Sequence, residues 1–398
     1  MNLMRFAIKS WSGLCVIALI VGAGVAVAFA VSAQQMGAGL SNLPMATKDR
    51  VQFSSWWPTK GTASRDEYVG PAACATCHPG KAAAQKTTPM GNASSDAAHS
   101  EVLRAHDHLA FRQGPYHYEI APRGGDYIYS VTDGAKSASV PLGWALGYDE
   151  VGQTYVYQLD GKFYESRLSY YRDLQGLDIT PGHPRALPSG FADAAGRLMD
   201  ADETQHCFAC HSTASTTNDR MDLSRMIPGV TCESCHGPGA RHVAAMQAED
   251  SDRGDKLIFT PRGLSPVAYV EFCGACHRTK WDVAMSGITG TLTVRFQPYR
   301  LETSKCWGDA GDARLTCFSC HDPHKPLVRD GASYDDRCLK CHNLSKQAKQ
   351  ADHPGAACPV SDKNCVTCHM PKIQIPDLHS TFTDHRIRIV RKGEAFPG

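Results

Sequence analysis

One pattern constrains this chain more than any other: Cys-x-x-Cys-His occurs seven times in 398 residues. The copies are Cys74-Ala-Thr-Cys77-His78, Cys207-Phe-Ala-Cys210-His211, Cys232-Glu-Ser-Cys235-His236 and Cys273-Gly-Ala-Cys276-His277. Cys317-Phe-Ser-Cys320-His321, Cys338-Leu-Lys-Cys341-His342 and Cys365-Val-Thr-Cys368-His369 complete the set. Two thiols three positions apart lie on one side of a helical turn. They can form thioethers with the two vinyl groups of one haem, and the adjacent histidine then becomes the proximal iron ligand. A zinc site uses paired Cys-x-x-Cys units without a histidine after every second cysteine. A thioredoxin-like redox pair needs a βαβ context, which the sequence does not display. Seven covalently attached haems, each with its iron, are therefore the expected cofactors.

The motifs also set the expected architecture. Six of the seven fall between Cys207 and His369. There they are separated by Gly, Pro and short helical stretches without strong amphipathic periodicity. A segment so poor in core-forming elements needs another core, which the haems would supply. Residues 109–172 are different: they hold no cysteine and ten of the fourteen tyrosines. Bulky and polar residues alternate there around Gly124-Gly125 and Asp160-Gly161, which are hairpin signals. Asp133-Gly134 is a further turn signal. The expected fold is mainly α and irregular, organised around stacked haems, with a small antiparallel β module inserted between the first and second motifs. The expected organisation is 1–33 export segment, 34–67 linker, 68–108 first haem-binding segment, 109–172 β module and 173–398 six-haem domain. Trp56 and Trp57 are the main apolar feature of the linker.

Arg5 and Lys9 precede an apolar run over residues 14–31, closed by small residues. This reads as a cleaved signal peptide or as an uncleaved inner-membrane anchor, because the run lies at the lower edge of spanning length. Either reading makes the rest of the chain periplasmic or otherwise extracytoplasmic. Cys15 belongs to this segment. Cys306 and Cys358 are then left over, as a disulfide in an oxidising compartment or as free or ligating thiols. The net charge of +1 gives no footprint for nucleic acid.

The irons also need sixth ligands. Of 18 histidines seven are proximal, leaving 18 − 7 = 11. His206, His242 and His324 stand too close to their own motifs to cross to the far face of the same haem. Each can serve a neighbouring one. His379 and His385 are further candidates, with Asp384 placed to orient a ring. In the N-terminal half His99, His106, His108 and His117 compete, and Met90 offers a thioether or simple packing.

These motifs resemble the multihaem cytochromes of the cytochrome c-552/4 type, within the hydroxylamine-oxidoreductase-like superfamily. The stretches that carry the resemblance are Tyr68-Val-Gly-Pro-Ala-Ala-Cys74, Gly229-Val-Thr-Cys-Glu-Ser-Cys-His-Gly-Pro-Gly239, Cys365-Val-Thr-Cys-His-Met-Pro-Lys372 and Phe382-Thr-Asp-His-Arg-Ile387. Arg295-Phe-Gln-Pro-Tyr-Arg-Leu301 resembles a signature of a seven-haem subgroup. The resemblance implies distal ligation by Met90, His106, His206, His242, His324, His379 and His385, with His117 and His353 in reserve. It also implies electron transfer and no more; a redox protein donor and acceptor are the expected partners. Reductive relatives carry a Cys-x-x-Cys-Lys motif, absent here. Hydroxylamine-oxidising relatives cross-link a tyrosine to haem; Tyr299 and Tyr334 lie near motifs, and nothing singles out either.

An electron carrier is thus the leading expectation, with the β module docking a partner or covering the first haem. The alternatives are an oxidoreductase acting on a small nitrogen or sulfur compound at one open haem, the first, and a self-associating subunit of a haem filament.

Overall fold

The computed structural model describes residues 46–51, 63–217, 220–307, 315–342, 358, 360–391 and 393–397. The expectations placed on residues 1–33, Trp56, Trp57 and His353 lie outside the described residues. Among the described residues, no helix is long and apolar enough to cross a membrane.

Strands form where bulky and polar residues alternate. After β1 (Ser94–Asp96), strands β2 (Leu109–Gln113), β3 (Tyr116–Arg123), β4 (Asp126–Thr132) and β5 (Ser137–Pro141) make a four-stranded antiparallel meander. In β3, Tyr116, Tyr118 and Ile120 are buried while His117 and Glu119 are exposed, the period of a half-buried strand. A second sheet contains β6 (Trp144–Tyr148), β7 (Gly152–Leu159), β8 (Lys162–Tyr171), β9 (Gly176–Ile179) and β10 (Gly196–Leu198). Its order is β1-β6-β7-β8-β10, with β9 also pairing β8. Asp160 and Gly161 turn β7 into β8 with φ of 51° and 74°, the paired positive values of a type I′ turn.

Side chains from both sheets share one core, including Tyr118, Ile120, Tyr129, Tyr155, Leu168 and Tyr170. The strands run from residue 94 to residue 198, past both ends of the expected 109–172 stretch. β1 and β10 have only three residues each, too few for alternation to register in the sequence.

β7 is buried on both faces. Tyr155 and Tyr157 enter the shared core, while Val156 joins Leu146, Met199 and Phe208 in a second cluster. Phe208 stands between Cys207 and Cys210 and meets Trp144 edge-on at 5.3 Å. Ser94 Oγ donates to the carbonyl of His211 at 2.7 Å. The β unit is therefore seated on the second motif. The apolar outer face of β7 is filled by the second motif's own phenylalanine.

The helices are short. α1 (Thr47–Arg50) falls in the expected linker, yet it is docked: the Thr47 amide donates to Glu271 Oε2 at 2.8 Å and Arg50 donates to the Glu271 carbonyl at 3.1 Å. Ala63 and Tyr68 bury against Ala214. Polar anchoring of this kind has no periodic signature. α2 (Pro71–Cys77), α3 (Pro79–Lys86), α4 (Ala201–His211), α5 (Cys232–His236), α6 (Ala240–Gln247) and α7 (Pro266–His277) follow. Then come α8 (Gln297–Glu302), α9 (Asp335–His342) and α10 (Cys365–His369). β11 (Lys372–Ile375) and β12 (Ser380–Thr383) form a final hairpin, packed on Tyr171 of β8 through Ile375 and Leu378. The whole is a mixed fold of short helices and antiparallel sheets.

Candidate haem-binding sites

Each motif sits where a short helical element ends. His211, His236, His277, His342 and His369 are the last residues of α4, α5, α7, α9 and α10. His78 follows directly on α2, and the fifth motif lies on a 3-10 turn, Cys317–Ser319. The i, i+3 cysteines therefore share one side of the element. α2 begins after Gly70, whose φ of 80° favours glycine, and places Pro71 in its first turn.

Several of the histidines are tied through Nδ1 to main-chain carbonyls. His211 reaches the carbonyl of Ala93 at 3.0 Å, His236 that of Phe259 at 2.8 Å and His369 that of Arg388 at 2.9 Å. Among the expected distal residues, His106 reaches Val102 at 2.7 Å, His242 reaches Gly254 at 2.9 Å and His385 reaches Thr383 at 3.0 Å. A carbonyl only accepts, so Nδ1 carries the proton and Nε2 keeps a bare lone pair for iron. Burial also lowers the pKa of His206, His211, His277, His321 and His324, and brings His385 down to about 4. Neutral imidazole is the ligating form.

Two ring pairs stand at a separation that a metal would fill. His236 and His324 are parallel within 8°, their centroids 6.1 Å apart. His321 and His385 are 6.3 Å apart at 45°. A ring nitrogen binds a metal at about 2.0 Å and lies about 1.1 Å from its ring centre, so two rings flanking one iron stand about 6.2 Å apart. Both pairs thus fit a haem held from two sides, and each joins residues from different segments of the chain. Gln297 stands beside the buried His277 ring, where its side chain hydrogen-bonds the imidazole.

Other expected ligands are placed differently. His206 lies within electrostatic range of Asp200 and Asp202 on its own segment and of Arg278 and Asp282 just after the fourth motif. His379 turns its Nε2 to Asp178 Oδ2 at 2.6 Å and packs edge-on against Tyr171. That contact ties the turn of the final hairpin to β9. Asp384 does not orient the His385 ring; it binds Arg300 and Arg388. The Met90 carbonyl accepts from the Val230 amide at 2.8 Å. Gly91 and Gly229 approach so closely that a Cβ on Gly229 would lie 2.1 Å from the Gly91 carbonyl oxygen. The loop containing Met90 is thus joined to the start of the third motif through main-chain groups. His99 pairs with Asp96 and His108 with Glu119 at the surface, and His117 is exposed on β3. Cys306 is half-buried and Cys358 exposed, and no bond joins them in this structure. Cys306 is half-buried beside Cys338 and Cys341.

The motifs meet one another through their attachment cysteines. Cys74 contacts Cys232, Cys210 contacts Cys276, Cys273 contacts Cys317, and Cys338 contacts Cys365. Cys235 also lies within electrostatic range of Cys276, and Cys320 of Cys338. The first motif therefore adjoins the third; the expectation that it stands apart across the β module is corrected. Glu233, inside the third motif and 1% exposed, makes that junction. It accepts from the amides of Val69, Gly70 and Gly239 at 3.0, 2.8 and 2.8 Å. Asp335 does the same between α9 and α10, accepting from the amides of Asn364 and Cys365 at 2.7 and 2.8 Å. Sequence reasoning missed both carboxylates; the signal for Glu233 was a charged residue inside a motif that needs none.

The profile of a family described as cytochrome c554 and c-prime matches residues 189–237, which hold the second and third motifs. A multiheme cytochrome MtrA of Shewanella baltica is 24% identical over 222 residues, covering 52% of this chain and 54% of that protein. The chain thus spans about half the length of this curated relative. The outer cell wall cytochrome OcwA aligns over 81% of this chain and 80% of its own, at 16% identity and a TM-score of 0.46. With seven attachment motifs, neutral buried histidines and facing ring pairs in one chain, the protein is a multihaem c-type cytochrome.

Proposed function

We propose that this chain is an exported electron conduit carrying seven covalently attached haems, one at each motif. When bound, haem supplies one-electron chemistry at iron. The residues of this chain hold the irons, fix the axial rings and exclude water. The observation that carries the reading is the chain of contacts between attachment cysteines. It joins the first motif to the third, the second to the fourth, the fourth to the fifth and the sixth to the seventh, while Cys235 lies within electrostatic range of Cys276 and Cys320 of Cys338. Such continuity is what transfer between neighbouring cofactors needs, and isolated sites would not.

The distal ligands proposed are His324 for the third motif and His385 for the fifth, from the ring pairs. His106, His206 and His242 join them, each to a neighbouring motif, and His117 and His353 are held in reserve for the remaining two irons. His206 belongs with the fourth motif, beside Arg278. His242 lies on α6, which packs against the turn Arg65–Glu67 leading to the first motif. The names of the relatives, a multiheme cytochrome and an outer cell wall cytochrome, agree with a redox role outside the cytoplasm. A protein donor and a protein acceptor follow as partners.

Haem content by pyridine haemochrome and intact mass should give seven per chain. Low-temperature EPR should then find low-spin iron without carbon monoxide binding. A fraction of high-spin iron that binds carbon monoxide would replace the conduit with an enzyme bearing an open site.

A further inference from the structure

Asp384 is completely buried, and its carboxylate is saturated. Oδ1 accepts from Arg300 Nε at 2.9 Å and from the Arg386 amide at 3.0 Å. Oδ2 accepts from Arg300 Nη2 at 3.0 Å and from Arg388 Nη1 at 2.6 Å. Arg300 is just as buried; its Nη1 donates to the Pro397 carbonyl at 2.8 Å and its guanidinium lies 4.5 Å from the Phe396 ring centre. One anion and one cation are thus withdrawn from water together, with Arg388 at the edge of the cluster and Glu394 3.9 Å from its Nε. Apolar side chains of the same volume often stabilise a fold as well as such a cluster. Stability alone does not call for it.

What the cluster holds is informative. Asp384 precedes His385, whose carbonyl accepts from Ser304 Oγ at 2.8 Å while the same hydroxyl accepts from the Ile387 amide at 2.8 Å. The His385 ring faces His321 of the fifth motif. Arg388, the second cation, uses its main chain on a different histidine. Its carbonyl accepts from His369 Nδ1 at 2.9 Å, and its amide donates to the His369 carbonyl at 3.2 Å. His369 is the proximal residue of the seventh motif. Six residues of backbone therefore run from one axial histidine's anchor to another's, pinned at Asp384.

We propose that Asp384, with Arg300 and Arg388, is a positioning node that sets the axial histidines and the local charge of two haems at once, those of the fifth and seventh motifs. The inference rests on the reading of His385 and His369 as axial ligands. Hydrogen bonds to a ligating histidine orient it and tune the metal, and nearby charge moves its potential. A cation favours the less positive ferrous state. Removing the anion therefore raises both potentials, and removing a cation lowers both.

The test uses the full-length, haem-loaded protein, with spectropotentiometric titration followed by low-temperature EPR. Three variants are compared: Asp384→Asn, Arg388→Gln and His385→Ala. Arg388 is partly solvent-accessible and keeps the proposal testable where Asp384→Asn fails to fold. His385→Ala should convert one low-spin iron to high-spin. Asp384→Asn should raise two of the potentials and shift two low-spin signals. Arg388→Gln should lower the same two. Should His385→Ala open one iron while neither charge variant moves exactly that pair in opposite directions, the node is overturned and the ligand reading stands. Should His385→Ala leave every iron low-spin, the ligand reading fails and the node falls with it.

Discussion

The β unit and the region that follows it solve the same problem by different means. Between residues 94 and 198 two sheets bury a continuous set of side chains, with Leu103, Ala145, Tyr155 and Leu168 at 0% exposure. From Cys207 onward the clusters shrink. One is built on Ala209 and Ala275 with Cys210 and Cys276 at its edge, and another on Val270, Leu301 and Trp307. Buried polar groups instead tie segment to segment there: Glu233, Asp335, and Arg300 with Asp384. The first region has a core of its own. The second has small clusters joined by buried polar groups, and on the function proposed above the haems would complete its core.

The largest test of this contrast is to make the chain without haem attachment. Residues 94–198 should remain as a protease-resistant fragment with β-type circular dichroism, while the segment from Cys207 to His369 is digested. Mass spectrometry of the digest decides. Equal resistance in the second region would mean that its side chains suffice as a core.

Next in size is Leu168→Ala. Leu168 is fully buried between the sheets, and removing such a side chain costs about 2–5 kcal/mol. The thermal transition of the β unit should fall by that amount while the low-spin haem spectrum is kept at room temperature. Loss of the haem spectrum in step with the β signal would make the two regions one cooperative unit.

The two regions also differed in how far they could be read. Asp160-Gly161 and Gly124-Gly125 announced their hairpins because two-residue turns demand positive φ. Tyr116, Tyr118 and Ile120 announced a strand by their period. The three-residue strands β1 and β10 carried no such signal, and neither did the docking of α1, which depends on Glu271 more than two hundred residues away. In the second region the attachment motifs were explicit, since thioether chemistry fixes cysteine spacing. The partners of the histidines were not. His324 and His379 look alike in sequence, each a histidine a few residues beyond a motif or strand. Only the fold brings one to face His236 and sends the other to Asp178. Likewise Gln297 and Arg300 stood in a recognised stretch whose purpose became visible once α8 placed them beside His277 and Asp384.

His379→Ala sharpens the boundary between the regions. The His379–Asp178 contact is partly exposed, with the two side chains at 23% and 13%. Exposed pairs contribute roughly 0.2–1 kcal/mol, so the hairpin of β11 and β12 should loosen slightly, read as faster amide exchange there. All irons should stay low-spin. A new high-spin signal would restore His379 as a ligand and would draw the β unit into the haem array.

The smallest expected effect is that of Met90→Ala. The loop around Met90 touches the start of the third motif through main-chain groups, the Met90 carbonyl on Val230 and the Gly91–Gly229 approach. Alanine leaves both in place. Met90 is half-buried, so the cost in stability should be about 1 kcal/mol, below the range for a fully buried methionine. Methionine ligation raises a haem potential and gives a methionine-to-iron charge-transfer band. If Met90 only packs, the variant keeps every haem band and every potential. Loss of such a band would place a thioether on one iron and give the N-terminal end of the array a potential above the histidine-ligated rest. The two regions would then differ in redox set-point as well as in what fills their cores.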